Sequence, residues 1–441
     1  MDKSIENRLY EAFKSSSGVS TDSRRIEPGV MFFALRGANF DGNRFAASAL
    51  EAGAAWAVVS KDCGIPDGGR YIAVDDTLEA LQALARKHRS GFRIPVLGLT
   101  GTNGKTTTKE LVCAVLSAKY RVTATIGNLN NHIGVPLTLL RLTDRTEMAV
   151  VEMGANHPGE IAELAAIALP DYGLITNVGK AHLEGFGSFD GVKRAKGELY
   201  DYLQRTGDTA FLNADDPELC AMAAQRPELK TVRYGVYASG AEILPVSAAE
   251  PYLRLRLPEG LTVSTHLIGS YNASNVMAAV CIGRYFGVPL EDAAGAVESY
   301  VPSNLRSQLE RTGNNLLVLD TYNANPSSMK ASLSNFAASQ FDHKVMILGQ
   351  MLELGKDSVP EHCRVMETAA GIGDCERVLF VGEEFLKAAD ARPELAADGR
   401  FTFCRDVEEA RGILERKPLR GCSILLKGSN AVHLPLLKDI L

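Results

Sequence analysis

A glycine-rich segment of the sequence has the residue types needed to hold phosphate groups. It reads Gly98-Leu-Thr-Gly-Thr-Asn-Gly-Lys-Thr-Thr-Thr108, and it stands between an apolar run and an amphipathic pattern at residues 107–118. Glycines let backbone N–H groups approach a phosphate closely, and the first turn of a helix adds partial positive charge. Lys105 can reach the β- and γ-phosphates of a nucleotide, and Thr106 stands where a P-loop hydroxyl binds Mg²⁺. The segment therefore predicts a variant phosphate-binding loop, with Leu99 in place of the first glycine of the strict pattern.

Three more side chains are candidates for a metal site beside this loop. Glu152 ends the apolar run 148–152, and His182 follows the run 174–177. Lys196 lies fourteen residues beyond His182, in a helical pattern. Because the carboxyl ends of parallel strands meet at one edge of a sheet, Glu152 and His182 are expected near the loop. Taken singly, the ordinary alternatives are a surface carboxylate, a hydrogen-bonded structural histidine and a solvated surface lysine.

Alternating strand and helix patterns predict an α/β fold in which mostly parallel sheets position these side chains. Residues 1–92 form a small α/β unit that ends at a polar break. Residues 93–312 form a larger unit, a mostly parallel, doubly wound sheet around the phosphate-binding loop, with antiparallel strands near residues 252–257. Residues 313–441 form a third α/β unit.

The composition is that of an ordinary globular chain. Its 441 residues are 46% hydrophobic, 23% charged and 7% aromatic, which excludes long disorder. The formal charge of −6 lacks the basic excess expected of a nucleic-acid-coating protein. The first residues lack the apolar core of a signal peptide, and no apolar run is long enough to span a membrane. The eight cysteines are at least 12 residues apart, so we expect no disulfide framework and a reduced, cytoplasmic protein.

Several segments resemble the Mur ligase family, the ATP-dependent enzymes that form amide bonds in peptidoglycan precursor synthesis. The superfamily signature is carried by Gly-Thr-Asn-Gly-Lys-Thr-Thr at residues 101–107, Asn-Val-Gly-Lys-Ala-His at 177–182 and Ala-Lys at 195–196. The resemblance covers essentially the whole chain. It implies a uridine-nucleotide-binding first domain, a central ATP-binding P-loop domain and a Rossmann-like third domain that receives the incoming amine.

Other segments are similar to one member of the family, the last ligase of the series. Residues 21–25 (Thr-Asp-Ser-Arg-Arg) are shared with the preceding ligase, whereas residues 37–42, 127–138, 320–326 and 347–355 resemble the last one. The resemblance implies that D-alanyl-D-alanine is joined to UDP-N-acetylmuramoyl-tripeptide through an acyl phosphate. The implied cofactors are ATP and two Mg²⁺ ions. The implied enzyme is a cytoplasmic monomer that has no nucleic-acid partner and no membrane span.

The resemblance also assigns roles to individual residues. The residues expected at ATP are Gly101, Thr102, Asn103, Gly104, Lys105, Thr106, Thr107, Asn272, Asn275, Arg306 and Asp320. The expected catalytic residues are Lys105, Glu152, His182 and Lys196. Glu152 and Thr106 would hold one Mg²⁺ ion. His182 and a carbamylated Lys196 would hold the other. The residues expected at the substrates are Ser23 and Arg24 for the uridine diphosphate, Asn128, Asn131 and His132 for the peptide, and Tyr322, Asn323 and Asn325 for the dipeptide.

Three positions depart from the family pattern. Gln350 stands where the family usually has aspartate, and Asn43 stands where a histidine is common. Asn430 stands where the family usually has arginine, and this replacement is expected to weaken a contact with a substrate carboxylate. Two alternatives stay open. One is another ligase of the superfamily, either the Mur ligase that adds the third residue or a folylpolyglutamate synthetase. The other is a nucleotide-binding scaffold without catalysis. No segment distinguishes lysine from meso-diaminopimelate as the third residue of the tripeptide.

Overall fold

The computed structural model describes residues 2–37, 39–246, 250–302 and 306–441. Residue 38, within the 37–42 segment, lies outside the described residues. Three main sheets follow one another along the chain, and helices pack against each of them. The expected three-part α/β architecture is thereby confirmed. Among the described helices, none has both the length and the apolar character needed to cross a membrane.

The first unit is built on a four-stranded parallel sheet in the order β1-β2-β5-β6, and β3 and β4 form a separate antiparallel pair. Its strands are β1 (Val19–Ser20), β2 (Met31–Phe33), β3 (Arg36–Gly37), β4 (Phe40–Asp41), β5 (Trp56–Ser60) and β6 (Tyr71–Val74). Its helices are α1 (Lys3–Lys14), α2 (Ala46–Glu51) and α3 (Thr77–Ser90).

The second unit contains a six-stranded parallel sheet in the order β12-β11-β10-β7-β9-β8, followed by a small antiparallel sheet, β13-β14-β15. Its strands are β7 (Val96–Thr100), β8 (Val122–Ala124), β9 (Met148–Glu152), β10 (Tyr172–Ile175), β11 (Thr209–Asn213), β12 (Lys230–Tyr234), β13 (Glu242–Ile243), β14 (Arg254–Arg256) and β15 (Thr262–Ser264). Its helices are α4 (Lys105–Ser117), α5 (Gly134–Leu139), α6 (Glu160–Ala168), α7 (Leu183–Phe186), α8 (Phe189–Thr206), α9 (Pro217–Ala224), α10 (Ala273–Tyr285) and α11 (Leu290–Ser299).

Both faces of the six-stranded sheet are buried, as a doubly wound sheet requires. Along β9, Ala149 and Val151 belong to one apolar cluster, whereas Met148 and Val150 belong to another. The chain runs from β7 to β8 and β9 on one side and then crosses to β10 on the other. Such a reversal leaves a crevice at the carboxyl ends of the strands, where ligands of open α/β sheets bind.

The third unit has a mixed six-stranded sheet in the order β16-β17-β21-β18-β19-β20, in which β16 alone is antiparallel to its neighbour. Its strands are β16 (Gln308–Arg311), β17 (Leu316–Asp320), β18 (Lys344–Gly349), β19 (Cys375–Val381), β20 (Phe401–Cys404) and β21 (Ser423–Lys427). Its helices are α12 (Pro326–Ala338), α13 (Ser358–Ala370), α14 (Glu383–Ala391), α15 (Pro393–Ala396) and α16 (Val407–Arg416). Because β16 pairs with β17, residues 308–311 belong to the sheet of the third unit.

Arg89, near the end of α3, ties the first unit to the second. Its guanidinium donates to Phe92 O at 2.8 Å, to Leu169 O at 3.0 Å and to Asp171 Oδ2 at 2.9 Å. The side chain is only 6% exposed. The last carbonyl groups of a helix lack intrahelical donors, and Arg89 supplies a donor to Leu169 O, just past the end of α6.

We expect Arg89→Ala to lower the free energy of unfolding by about 2 kcal/mol, because buried acceptors lose their donor. Urea unfolding followed by the fluorescence of Trp56, the only tryptophan, measures the change. Arg93→Ala, at an exposed position just past the same helix, is the matched control. A midpoint equal to that of the control would contradict this structural role.

Candidate active site

A cleft of about 630 Å³ opens between the carboxyl edge of the central sheet and the start of the third unit. The site residues predicted from the sequence that line it are Thr102, Asn103, Gly104, Lys105, Thr107, Asn128, Asn131, His132, Glu152, His182, Asn272, Asn275, Arg306, Asp320, Tyr322, Asn323 and Asn325. Thr106 faces an adjoining pocket, which it shares with Asn128, Arg306 and Tyr322. Most of the predicted site residues therefore border one continuous region.

The phosphate-binding loop is held in a shape that only glycine permits at two positions. Gly101 has φ +146°, and a Cβ there would lie 2.0 Å from Thr176 Oγ1. Gly104 has φ +77°, with Asn275 Oδ1 2.9 Å from where a Cβ would stand. Both backbones lie in the region that other residues rarely adopt. The loop is thus packed closely against β10 and α10.

Lys105 begins α4 and folds back over the loop. Its Nζ donates to Gly101 O at 2.8 Å and to Thr102 O at 3.0 Å. Burial lowers the pKa of Lys105 to about 8, although the nearby Glu152 carboxylate opposes that shift. A phosphate entering the loop would meet this ammonium, already held in place by the loop's own carbonyls.

The Glu152 carboxylate has the properties of a magnesium ligand. The residue is 1% exposed, and its Oε1 accepts from Asn130 Nδ2 at 2.8 Å and from Thr106 Oγ1 at 3.3 Å. Its Oε2 is buried and has no hydrogen-bond partner. An unpaired buried carboxylate oxygen is costly, and a hard oxygen donor is what Mg²⁺ prefers. Glu152 and Thr106 therefore fit a magnesium ion.

Asn130 is a site residue that the sequence analysis missed. It lies in a run where Asn128 and Asn131 were selected, and no local pattern separates the three asparagines. In the structure, Asn131 Oδ1 accepts from Gly134 N at 2.9 Å, at the start of α5. Asn130 donates the shorter of the two side-chain hydrogen bonds to the Glu152 carboxylate and so helps to orient it.

We expect Asn130→Ala to raise the Mg²⁺ concentration needed for half-maximal ATP turnover by tenfold or more, because groups that orient a metal ligand typically change affinity by 10–100-fold. The measurement is phosphate release across a Mg²⁺ titration. Asn156→Ala, at an exposed position on the same cleft, is the control. A requirement unchanged from wild type would show that Asn130 does not position Glu152.

His182 lines the cleft, whereas Lys196 does not line it but is hydrogen-bonded to Ala155, which does. His182 stands immediately before α7 with φ +49°, and its Nδ1 is hydrogen-bonded to Glu353 of the third unit. Lys196, on α8, is 2% exposed, and its Nζ donates to Ala155 O at 3.3 Å. Its burial excludes the alternative of a solvated surface lysine.

The pKa values of His182 and Lys196 are both lowered. Burial lowers the pKa of His182, although Glu353 opposes that shift. Burial, together with the like charge of Lys105, lowers the pKa of Lys196 to about 7. Across the described ranges, no group of three or more His, Cys, Asp or Glu side chains could hold a metal ion. Any Mg²⁺ bound here would complete its shell with water and phosphate oxygens, as this ion commonly does.

The asparagines predicted on the adenine side form a buried chain against the loop. Asn272 Nδ2 donates to Ile268 O at 2.8 Å, and Asn275 Nδ2 donates to Asn272 Oδ1 at 2.8 Å. Thr108 Oγ1, in the first turn of α4, donates to Asn275 Oδ1 at 3.0 Å. These bonds fix the start of α10 against the start of α4.

The third unit supplies the opposite wall of the cleft. The Arg306 guanidinium stacks over the Tyr322 ring at 3.6 Å. Asp320 is paired at 2.9 Å with Lys427, a buried residue that the sequence analysis did not select. Asn325 Nδ2 donates to Asn103 Oδ1 of the loop at 2.8 Å. The third unit is thus in direct contact with the phosphate-binding loop.

Comparison with known proteins places the chain in a family. Its segments match three family models: "Mur ligase family, catalytic domain" at residues 15–89, "Mur ligase middle domain" at 99–283, and "Mur ligase, glutamate ligase domain" at 305–430. The chain belongs to the Mur ligase family. Its segments follow the order of the three units seen in the structure.

Relatives resemble this Mur ligase over nearly its whole length. The UDP-N-acetylmuramoyl-tripeptide–D-alanyl-D-alanine ligase of Bacillus subtilis is 34% identical over 96% of this chain and 93% of its own. The crystal structure of MurF from Acinetobacter baumannii has a TM-score of 0.84 at 31% identity, covering 98% and 97% of the two chains. The MurF ligase of Thermotoga maritima in complex with ADP has a TM-score of 0.82 at 27% identity, covering 97% of each.

Other predicted residues of this Mur ligase lie away from the cleft lining. Gly101 does not line the cleft; it packs against Thr176. Ser23 and Arg24 lie on the turn between β1 and β2, where the Arg24 side chain is 86% exposed and paired with Asp22. Their predicted contact with the uridine diphosphate stays a prediction.

The three departures from the family pattern have different surroundings. Gln350 Oε1 accepts from Glu384 N at 3.0 Å, so its uncharged side chain caps the start of α14. Asn43 is buried; its Nδ2 donates to Asp41 Oδ1 at 2.7 Å and its Oδ1 accepts from Ser60 N at 2.9 Å. Asn430 borders the pocket that contains Thr106. Of the three, only Asn430 is among the residues that line the cleft and its adjoining pocket.

Proposed function

We propose that this Mur ligase joins D-alanyl-D-alanine to UDP-N-acetylmuramoyl-tripeptide at the expense of ATP, giving UDP-N-acetylmuramoyl-pentapeptide, ADP and phosphate. One observation carries the proposal. Lys105, the Glu152 carboxylate with its unpaired oxygen, and the 320–326 segment of the third unit line the same cleft. The names of the relatives that match nearly the whole chain support these substrates.

The chemistry explains why such a cleft is needed. A carboxylate does not react with an amine, because its oxygen is a poor leaving group. Transfer of the γ-phosphoryl group of ATP to the terminal carboxylate of the tripeptide gives an acyl phosphate and ADP. The dipeptide amine then attacks the acyl carbon, phosphate leaves with the bonding electrons, and the nitrogen loses a proton to give the amide.

The first step brings two anions together. At 4 Å and an effective dielectric constant of about 20, two unit charges repel by about 4 kcal/mol. Lys105 offsets this repulsion at the phosphates from a position fixed by the loop. Thr106 with Glu152 would hold one Mg²⁺, and His182 with Lys196 as its carbamate would hold a second. Bound Mg²⁺ supplies charge neutralisation at the transferring phosphoryl group.

The second step needs the dipeptide beside the activated carboxylate. Tyr322, Asn323 and Asn325 face the same cleft from the third unit, and we assign them to the dipeptide. Asn128, Asn131 and His132 face it from the second unit, and we assign them to the peptide end of the nucleotide substrate. A site between units can enclose both substrates and exclude water from the acyl phosphate.

One assay separates this proposal from its alternatives. Phosphate release from ATP is measured with UDP-N-acetylmuramoyl-tripeptide, with and without D-alanyl-D-alanine, using the lysine and the meso-diaminopimelate forms in parallel. We expect release that depends on the dipeptide. Release that needs a free diamino acid or glutamate would identify another ligase of the superfamily. No release under any condition would identify a non-catalytic scaffold.

We also propose that the enzyme works as a monomer in the cytoplasm. All eight cysteines are free thiols, which suits a reducing compartment. The cleft is assembled from the units of a single chain, so no second copy is needed to complete it. Light scattering coupled to size-exclusion chromatography tests the oligomeric state, and a mass of twice 47.5 kDa would contradict the monomer.

A further inference from the structure

Glu353 of the third unit meets His182 of the second unit across the interface between them. The Glu353 carboxylate is hydrogen-bonded to His182 Nδ1, and Glu184 N donates to Glu353 O at 3.4 Å. Both residues have left-handed backbones, with φ +60° at Glu353 and φ +49° at His182. Such a conformation is uncommon outside glycine, so two of them at one contact indicate a closely constrained approach.

The turn that carries Glu353 is shaped to reach α7. Gly355, two residues further on, has φ +52°, and a Cβ there would lie 3.6 Å from the Glu184 side chain. The segment between β18 and α13 therefore approaches the start of α7 closely. The Glu353 side chain is 56% exposed and that of His182 is 26% exposed, so neither group is buried in a core.

A histidine has two ring nitrogens, and a metal ion can use only one that lacks a proton. Metal-binding histidines almost always donate the other N–H to a carboxylate or carbonyl, which fixes both the tautomer and the ring orientation. With Nδ1–H donated to Glu353, the lone pair of His182 is on Nε2. No other side chain in the described structure is hydrogen-bonded to Nδ1 of this ring.

We propose that Glu353 is a positioning residue that the third unit supplies to His182, so that this histidine is oriented for a cation only when the third unit is docked. The identity of the cation rests on the proposed function; the pairing itself does not. Docking of the third unit thereby becomes a condition for completing the second cation position.

The interface has other contacts that hold the units together without touching His182. Lys180 Nζ is 3.0 Å from Glu361 Oε1, and Lys180 N donates to Ser327 Oγ at 2.9 Å. Loss of the Glu353 side chain is therefore expected to change the tautomer and orientation of the His182 ring, whereas the third unit is expected to stay docked. Glu361→Gln weakens an ion pair at the same interface and is the matched control.

The test uses Glu353→Ala, Glu353→Gln and Glu361→Gln in the full-length protein. Ring ¹⁵N resonances of histidine are recorded without metal, with His182 assigned by its loss in His182→Gln. We expect the Nδ1–H tautomer in wild type, in Glu353→Gln (whose amide oxygen still accepts) and in Glu361→Gln. We expect a mixture dominated by Nε2–H in Glu353→Ala.

The second readout is the Mg²⁺ concentration for half-maximal phosphate release. It should rise by 10–100-fold in Glu353→Ala and less than threefold in Glu353→Gln and Glu361→Gln. An unchanged tautomer in Glu353→Ala, or an equal Mg²⁺ shift in Glu361→Gln, would overturn the proposal. If wild type shows no dipeptide-dependent release, the proposed function fails, and the tautomer measurement alone decides the role of Glu353.

Discussion

Replacement of Lys105 by alanine will lower turnover more than a hundredfold and leave the fold intact. The Lys105 ammonium is held by two carbonyls of its own loop, so it is preorganised for the charge that develops on the γ-phosphoryl group. Loss of one preorganised donor in a transition state costs about 3–4 kcal/mol, which corresponds to a factor above one hundred.

Phosphate release under saturating substrates measures the effect, and circular dichroism with thermal unfolding measures the fold. Lys119→Ala is the control, because that exposed lysine lies two residues beyond the end of the same helix. Near-normal turnover in Lys105→Ala would show that ATP binds elsewhere in the protein.

Lys196→Ala is expected to lose nearly all activity. An ammonium beside Mg²⁺ would repel it, whereas a neutral amine can attack CO₂, lose a proton and become a carbamate, a monoanion whose charge is shared by two oxygens. The structure favours this chemistry because Lys196 is buried and has a pKa of about 7. Acetate or formate should partly restore activity to Lys196→Ala, and Lys196→Glu should retain more activity than alanine does.

The carbamate can be observed directly. Because the pKa of Lys196 is lowered to about 7, the amine is mostly protonated at pH 6 and mostly neutral at pH 8. A carbamate signal from ¹³C-bicarbonate should therefore grow between pH 6 and pH 8, and it should be missing in Lys196→Ala. Lys193→Ala is the control, since that lysine is on the same helix and paired with Asp190. Normal turnover in Lys196→Ala would exclude a role in metal binding.

Local sequence was enough to predict the phosphate-binding loop and most of the strands around it. A buried strand, two glycines and a lysine at the start of a helix are neighbours in the chain, so their geometry is decided within about ten residues. The predicted run at 148–152 coincides with β9, and the run at 174–177 overlaps the end of β10. Strands buried on both faces are continuous apolar runs, a pattern that short segments carry by themselves.

The tertiary structure alone decided which side chains complete the site. Asn130 reaches Glu152 from 22 residues away in the sequence, and Glu353 reaches His182 from 171 residues away. Lys196 is buried on α8, which packs against α6, and an isolated lysine in a helical pattern does not reveal which face of the helix is buried. The antiparallel pairing of β16 with β17 likewise placed the start of the third sheet at residue 308. These features arise from contacts between distant segments, and local periodicity reports only the preference of each segment for helix or strand.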